Sequence, residues 1–201
     1  MEQHLTSEFD VLHAIYHRRA VRAYRPEQPP ESVIHELLAA AVQAPTAMHL
    51  EPWGFAVVQD RARLKRYSDR AKSMLLDSSF AVGWGSADGG RHDHPAMLKD
   101  PAFNIFYDAG TLIVVCRRGG APFADADCWL AAQNLMLAAD AKGLATCPIG
   151  FAVKVLNEPD VKRELGIPAE GAAVAPLIVG TAQVQPHAVS RKPPLVLGWV
   201  K

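Results

Sequence analysis

Two short stretches carry side chains whose types and spacing could bind a charged small molecule. The first places three arginines within five residues, at Arg18, Arg19 and Arg22. Guanidinium groups form paired hydrogen bonds with phosphate oxygens, so such a run could clamp a phosphate. The same cations would also be ordinary at the C-terminal end of a helix, where they interact favourably with the helix dipole. Both interpretations stay open on the arginines alone.

The second stretch combines two prolines with three polar side chains. It follows a predicted helix and leads into a short apolar run that is typical of a strand buried on both faces. Pro45 cannot continue the helix, and Pro52 biases Glu51 towards an extended conformation. Thr46, His49 and Glu51 are therefore expected on a short, constrained loop beside the core. Such a loop could hold polar groups in fixed positions around a planar ligand with polar edges.

Three predicted helices position these stretches. Ser7 can cap a first helix, which ends in the arginine run, and Ser32 begins a second helix, which ends at Pro45. Asp60 can cap a third helix, which is amphipathic and basic. Its arginines and lysines are typical of a solvated face rather than of a binding surface.

A fourth predicted helix, from Asp125 to Lys142, has almost no polar face. Asp125 is a plausible N-cap, and Gly143 has the position just past the C-cap, where glycine is common. A helix that is apolar nearly all round is buried, either in the core of one chain or against a second subunit. Both kinds of burial are open at this point.

Further apolar runs predict two more strands and a turn. Residues 111–116 have the pattern of a second buried strand. Residues 174–180 predict a third strand, which Pro176 places near a sheet edge because proline removes a ladder hydrogen bond. Pro148 and Gly150 bracket a tight turn directly after a short strand. That turn is either a plain chain reversal or a place where backbone N–H groups face a ligand.

Composition excludes several classes of partner. The chain has 21 Lys plus Arg and 21 Asp plus Glu, so its net charge is zero, and we expect neither nucleic acid nor an acidic membrane surface as a partner. No apolar run approaches the length of a membrane span, and the N-terminus carries no secretory signal. The three cysteines form no CxxC motif, so we interpret them as core packing in a reducing cytoplasm. The length suits one domain over residues 1–201.

Residues 77–104 lack a helical or strand period because glycines interrupt them repeatedly. We expect this segment to form a lid or another variable excursion from the domain. It contains His92, Asp93 and His94, but adjacent loop residues rarely close a coordination sphere, and no further ligand cluster lies nearby in the sequence. We therefore expect no metal site.

Four stretches, in chain order, together resemble the FMN-dependent nitroreductase family. They are Arg18-Arg19-Ala20-Val21-Arg22, Ala44-Pro45-Thr46 followed by His49-Leu50-Glu51-Pro52-Trp53, Gln133-Asn134-Leu135 with Gly143-Leu144, and Arg191-Lys192-Pro193. The family has serine at the position of Ala20, asparagine at that of His49 and glutamine at that of Glu51. The resulting His-x-Glu-Pro-Trp frame is closer to the iodotyrosine deiodinase branch of the same superfamily.

The resemblance implies an α+β, nitroreductase-like, three-layer fold, in which a central mixed β-sheet is flanked by helices. It also implies a homodimer with two FMN sites at the subunit interface. NADH or NADPH and a small electron acceptor, such as a nitroaromatic or a quinone, would occupy the same place over the flavin in turn. The flavin carries the chemistry in this family, so we name no catalytic side chain.

Residue roles also follow from the resemblance alone. The phosphate would be neutralised by Arg18, Arg19, Arg22, Arg191 and Lys192, with Ala20 lacking the family's hydroxyl. The ribityl chain and the ring edge would lie near Pro45, Thr46, Ala47, His49 and Glu51. The backbone of Ile149 and Gly150, which follow Pro148, would face the flavin N5 edge.

Two other functions remain open. One is a reductive dehalogenase of the deiodinase type, whose lid holds an amino-acid substrate with a Glu, a Tyr and a Lys. We cannot place that set in residues 77–104, which contain no Glu and no Tyr. The other is a flavin-binding protein without catalytic activity.

Overall fold

The computed structural model describes residues 11–77, 94–184 and 186–201. The cap at Ser7, most of the expected lid and the pair His92-Asp93 lie outside these residues. Within the described ranges, no group of three or more His, Cys, Asp or Glu residues could hold a metal ion. None of the helices described there is long and apolar enough to cross a membrane.

Four strands form one sheet at the centre of the described chain. They are β1 (Trp53–Val58), β2 (Thr111–Arg117), β3 (Ala145–Pro148) and β4 (Ala172–Gly180). Their spatial order is β1-β2-β4-β3, and all three pairings are antiparallel. The buried runs of the sequence thus correspond to β1, β2 and β4.

The expectation of a mixed sheet is wrong for these strands. Among the described residues, parallel pairing occurs at an isolated bridge between Ala20 and Thr146. Continuous apolar runs indicate that a strand is buried on both faces, which is usual in parallel sheets. Here helices bury an antiparallel sheet on both faces, so the same sequence pattern arises without parallel strands.

Pro176 lies in an internal strand, so the expectation of an edge position is also wrong. β4 pairs with β2 on one side and with β3 on the other, and Pro176 is opposite Val114. On the β3 side, the carbonyl of Pro176 accepts the N–H of Ile149 at 2.9 Å, just past the end of β3. The Ile149 carbonyl, which would face the missing proline N–H, accepts the N–H of Ala152 at 3.0 Å instead. Proline is tolerated because its short neighbour strand ends there.

Seven α-helices connect and cover the strands in the described ranges. They are α1 (Val11–His17), α2 (Glu31–Ala41), α3 (Arg61–Leu76), α4 (His94–Lys99), α5 (Ala124–Ala141), α6 (Val153–Leu156) and α7 (Pro159–Glu164). α2 begins at Glu31, one residue before the predicted Ser32, and Pro30 is its N-cap. Most basic residues of α3 are exposed as expected, and Arg66 and Arg70 form ion pairs with the acidic residues Glu164 and Asp160. Lys72 is the buried exception in this helix, and it donates to the carbonyls of Asp100 and Phe103.

Asp60 and Gly143 have the expected roles at helix ends, whereas Asp125 does not. The carboxylate of Asp60 accepts the N–H groups of Ala62 and Arg63, so it caps α3. Gly143 follows the C-cap of α5 with φ = +71°, a conformation that glycine adopts without steric cost. Asp125 is not an N-cap, because α5 begins one residue before it and Phe123 has the cap position. The Asp125 carboxylate instead pairs with Arg117 at 2.9 Å.

Alternate side chains of β2 pack into two hydrophobic clusters. Leu112, Val114 and Cys116 pack with residues of α3 and α6, whereas Ile113 and Val115 pack with α2 and α5. Since successive side chains of a strand point to opposite faces, the sheet buries both faces under helices. α5 lies on the second face and contributes eight buried residues, most of them small.

All three cysteines lie in these clusters and are reduced. Burial raises the pKa of the Cys116 thiol to about 11 and that of the Cys128 thiol to about 12. Burial also raises the pKa of Cys147. Thiols with raised pKa values are poor nucleophiles at neutral pH, which supports their interpretation as packing residues.

Candidate functional site

Backbone hydrogen bonds hold the segment from Arg18 to Arg25 against the sheet. The N–H of Val21 donates to the carbonyl of Thr146 in β3 at 3.1 Å. Further along, Arg25 donates to Thr181, and Gln183 donates to Ala23, both at 2.9 Å. The arginine segment, residues 18–25, therefore extends the sheet edge and has a fixed position relative to β3.

A cleft of about 350 Å³ lies between the arginine segment, the end of α5 and β3. It is lined by His13, His17, Arg18, Arg19, Val21, Asp140, Gly143, Leu144, Ala145, Thr146, Ala182 and Pro186. Three of its donors are buried and have no hydrogen-bond partner among the described residues: Nε of Arg18, Nε of Arg19 and Oγ1 of Thr146. Buried polar groups are normally paired, so this cleft is a candidate anion-binding site.

The three arginines of the run do not share one environment. Nη1 of Arg19 donates to the carbonyls of Tyr16 and Arg18 at 2.7 and 2.8 Å, so this guanidinium also completes the C-terminal end of α1. The Nη1 group of Arg19 thus has the role that the helix-end interpretation predicts, whereas its Nε has no partner among the described residues. Arg22 is exposed and lies beside Tyr107, where burial raises the pKa of the tyrosine and the arginine charge lowers it. The structure brings Arg18 and Arg19 to the cleft and leaves Arg22 outside its lining.

The tail pair Arg191 and Lys192 is exposed and belongs to no helix or strand. Pro186 is the tail residue nearest to this pair that lines the cleft. Arg191 follows Pro186 by five residue steps, a reach of at most roughly 17 Å in an extended chain. The described chain therefore does not bring the tail cations into the cleft, although they are within reach of its rim.

Asp140 places one carboxylate among the cations of the cleft. Burial raises the pKa of this carboxyl, whereas the charges of His13, Arg18, His17 and Arg19 lower it. The rings of His13 and His17 are stacked, with centroids 3.8 Å apart. Two permanent guanidinium charges against one carboxylate leave the cleft net positive, which favours an anion.

The loop from Pro45 to Pro52 has an unusual backbone. Met48, His49 and Glu51 have φ values of 56°, 54° and 42°, in the left-handed region that non-glycine residues rarely adopt. The expectation that Glu51 is extended is therefore wrong. The preference of a residue before proline is a local one, and contacts from outside the loop override it here.

Two side chains from other elements hold this loop by its backbone. Both carboxylate oxygens of Asp127 in α5 lie 3.3 Å from the N–H of Ala47. Nη2 of Arg118, just after β2, donates to the carbonyl of Glu51 at 2.9 Å, and its backbone N–H donates to the carbonyl of Pro52 at 2.8 Å. The side chain of His49 is exposed and that of Thr46 is half-buried.

Sequence reasoning missed Asp127 and Arg118. A signal existed for Asp127, because it is an acidic residue on the face of α5 that is otherwise buried, and a buried carboxylate needs a partner. No local pattern marks Arg118, since its role depends on the pairing of β1 with β2.

The turn after β3 has one buried and one exposed residue beside Pro148. The N–H of Ile149 is bonded to Pro176, and the residue is only 4% exposed. Gly150 is exposed, and a Cβ built on it would meet no atom within 4 Å. Of the two residues that the resemblance places near a flavin, Gly150 therefore has the open space beside it.

Within one chain, the loop and the arginine segment lie near opposite ends of α5. The loop is bonded to Asp127 near the N-terminus of the helix, whereas the arginine segment lines a cleft with Asp140 near its C-terminus. The helix rises 1.5 Å per residue, so these two anchor points are about 20 Å apart. The structure does not bring the two predicted half-sites together in one chain.

Comparisons with known proteins identify similar sequences and folds. A model of the Nitroreductase family matches residues 15–181. A protein of Methanothermobacter thermautotrophicus, whose name joins NADH dehydrogenase with NAD(P)H nitroreductase, is 30% identical over 166 residues, covering 81% of this chain and 72% of that protein. Iodotyrosine deiodinase of Thermotoga neapolitana is 26% identical over 138 residues, covering 65% of this chain and 68% of that protein. A crystal structure of a nitroreductase with bound FMN from Bacteroides fragilis has a TM-score of 0.74 and 26% identity, covering 96% of this chain and 97% of that one.

Replacing Asp127 by alanine should destabilise the protein and loosen the loop. The N–H of Ala47 would lose its charged acceptor, which costs about 1–3 kcal/mol of unfolding free energy. Asp125→Ala is the matched control, because Asp125 lies in the same turn but is largely exposed in its ion pair, so its loss should cost less than about 1 kcal/mol. Denaturant unfolding measures both values, and hydrogen exchange should show a faster Ala47 amide in Asp127→Ala alone. Equal effects of the two substitutions would contradict the anchoring role.

Proposed function

The chain belongs to the nitroreductase family, and on that premise we propose that it is an FMN-dependent oxidoreductase that reduces nitroaromatics, quinones or similar small electrophiles with NADH or NADPH. The observation that carries this proposal is the cleft beside the arginine segment. Three buried donors there have no partner among the described residues, and two belong to arginines. A flavin phosphate would supply the missing acceptor oxygens in a net positive cleft.

The residues present fit FMN in chemical type. Arg18 and Arg19 line the cleft and would hold the phosphate, with Arg191 and Lys192 reaching it from the tail. Thr46, His49 and Glu51 lie on a loop that two anchors hold in place, and would border the ribityl chain and the ring edge. The open space beside Gly150 leaves room for a planar ring at the turn after β3.

When bound, FMN supplies the redox chemistry, and the protein orients the reactants. The contribution of this chain is then to fix the phosphate, to hold the ring edge with a rigid loop and to leave one face open. Donor and acceptor would use that open face in turn. His49 and Glu51 place one titratable cation and one anion on the loop, so their orientation would tune the potential of the bound flavin.

We propose that the active form is a homodimer with FMN between the subunits. The loop and the arginine segment of one chain are separated by about 20 Å along α5. One flavin could contact both sets if the loop came from a second copy. Apolar side chains on the outer face of α5 and on α1 are exposed in the single chain, namely Phe123, Trp129, Leu130, Ile15 and Tyr16. An interface would cover them, as obligate dimers require.

A reductive dehalogenase is the second candidate. The observation that favours it is the loop sequence His49-Leu50-Glu51-Pro52-Trp53, together with the similarity to iodotyrosine deiodinase. A flavin-binding protein without catalysis is the third candidate. The three are separated by asking whether nicotinamides reduce the bound flavin and which acceptor then reoxidises it fastest.

Arg18→Ala should weaken FMN binding roughly ten- to hundredfold, because a charge-assisted phosphate contact contributes about 1.5–3 kcal/mol. Arg191→Ala should also lower the affinity for FMN if the tail reaches the cleft. Arg163→Ala is the control, since Arg163 is an exposed arginine at the end of α7. Titration of apoprotein with FMN, followed by flavin fluorescence, gives the affinities. Unchanged affinity in both Arg18→Ala and Arg191→Ala would refute the phosphate clamp.

Mixed dimers should recover a site that two defective parents lack. Chains with Arg18→Ala and chains with Asp127→Ala, carrying different tags, are co-expressed and the heterodimer is isolated. If each site takes its arginines from one copy and its loop from the other, one site of the heterodimer has both defects and the other has none. We expect about one tightly bound FMN per heterodimer at concentrations where both parental proteins are empty. No recovery, or a monomeric mass by sedimentation, would refute the shared site.

Anaerobic addition of NADH or NADPH should bleach the visible absorbance of the FMN-loaded protein. Steady-state rates with a nitroaromatic or a quinone should give parallel double-reciprocal plots, because donor and acceptor share one place and each half-reaction proceeds separately. If neither nicotinamide bleaches the flavin, the protein is not an oxidoreductase of this kind. If the reduced protein deiodinates a halotyrosine far faster than it reduces the nitroaromatic, the dehalogenase function replaces the proposed one.

A further inference from the structure

Thr146 is a polar residue in the cleft that no sequence motif identifies. It lies in the middle of β3, is 1% exposed and lines the cleft together with Arg18 and Arg19. Its Oγ1 has no hydrogen-bond partner among the described residues. A buried hydroxyl without a partner costs stability, so its presence at the wall of a cleft indicates a partner that comes from outside the chain.

The position of Thr146 relative to the arginine segment is fixed by the backbone. Its carbonyl accepts the N–H of Val21, and the isolated parallel bridge pairs it with Ala20. Ala20 itself packs against the cluster that contains Leu112, Val114 and Cys116, and it is not among the residues that line the cleft. Of this bridged pair, Thr146 is therefore the residue that lines the cleft.

The charges around Thr146 determine which kind of ligand would fit. Arg18 and Arg19 provide two guanidinium groups, and the side chains of His13 and His17 line the same cleft. Asp140 is the acidic residue in the described lining, and burial raises the pKa of its carboxyl. Donors of this kind, arranged around a net positive cleft, suit a compact oxyanion with several acceptor oxygens.

We propose that the Thr146 hydroxyl is a phosphate ligand, which donates to the phosphate of the bound flavin beside Arg18 and Arg19. This inference rests on the proposed function, because it assigns the cleft to the FMN phosphate. It identifies a binding residue on β3, in addition to the arginine segment and the tail. It also gives a role to the only buried threonine of β3.

Replacing Thr146 by valine separates binding from stability. The substitution removes a buried, unpartnered hydroxyl and keeps a β-branched side chain suited to a strand, so the apoprotein should unfold at the same or a higher temperature. FMN affinity should fall roughly tenfold, since one hydrogen bond to a charged group is lost. Affinity for riboflavin, which has no phosphate, should stay within about twofold of the wild-type value.

Thr111→Val is the matched control. Thr111 is also a fully buried threonine of the sheet, but its Oγ1 accepts the side-chain N–H of Gln59 at 3.0 Å. This substitution should lower stability, because it breaks an existing hydrogen bond, and should leave the ratio of FMN to riboflavin affinity unchanged. Thr146→Val should thus lose FMN preference without losing stability, whereas Thr111→Val should lose stability without losing FMN preference.

The experiment titrates apoproteins with FMN and with riboflavin, and measures competition by inorganic phosphate. Thr146→Ser should keep the FMN preference, because it keeps the hydroxyl at this position. If the wild-type protein prefers FMN to riboflavin and Thr146→Val keeps the same preference, this inference is overturned and the proposed function is not. A wild-type protein that binds neither flavin would overturn the proposed function, and this inference with it. Should Thr146→Val not fold, Thr146→Ala gives the same comparison.

Discussion

The pairing of the arginine segment with the sheet edge is the constraint on which the candidate site depends. Three backbone hydrogen bonds join residues 21–25 to Thr146 in β3 and to residues 181–183 after β4. Because these bonds involve main-chain atoms, they fix where the arginine side chains begin, whatever those side chains bind. The cleft exists because α5 ends beside this edge and leaves a gap between the helix, the segment and β3.

The same helix explains why one chain holds two incomplete halves of a site. α5 is packed into the core by small side chains along its inner face, and Asp127 and Asp140 are near its two ends. Each end supports a different part of the site, the loop at one end and the cations at the other. A rigid helix cannot bring its own ends together, so within one chain the loop and the cations stay about 20 Å apart.

Much of the fold was predictable from local pattern. The apolar runs of β1, β2 and β4, the cap at Asp60 and the glycine at position 143 depend on neighbouring residues only, and the structure confirms them. Strand direction and order depend on tertiary pairing, so the mixed sheet and the edge position of Pro176 were wrong. The place of Arg18 in a group of cations was predictable from its sequence neighbours. Asp127 carried a signal, as a carboxylate on a buried helix face, but its partner in the loop was not predictable. The positions of Arg118 and Thr146 carried no local signal, because their contacts join distant parts of the chain.

The loop between Pro45 and Pro52 combines one short internal turn, in which the N–H of Leu50 donates to the carbonyl of Ala47, with two anchors from outside that act on its backbone. Asp127 holds an amide of Ala47, and Arg118 holds the carbonyls of Glu51 and Pro52. Three non-glycine residues in the left-handed region are costly, and the anchors maintain them without using any loop side chain. The side chains at 46, 49 and 51 can therefore diverge in evolution while the loop keeps its shape. Substitutions of His49 or Glu51 would therefore change the polar groups that the loop displays and leave the course of its backbone as it is.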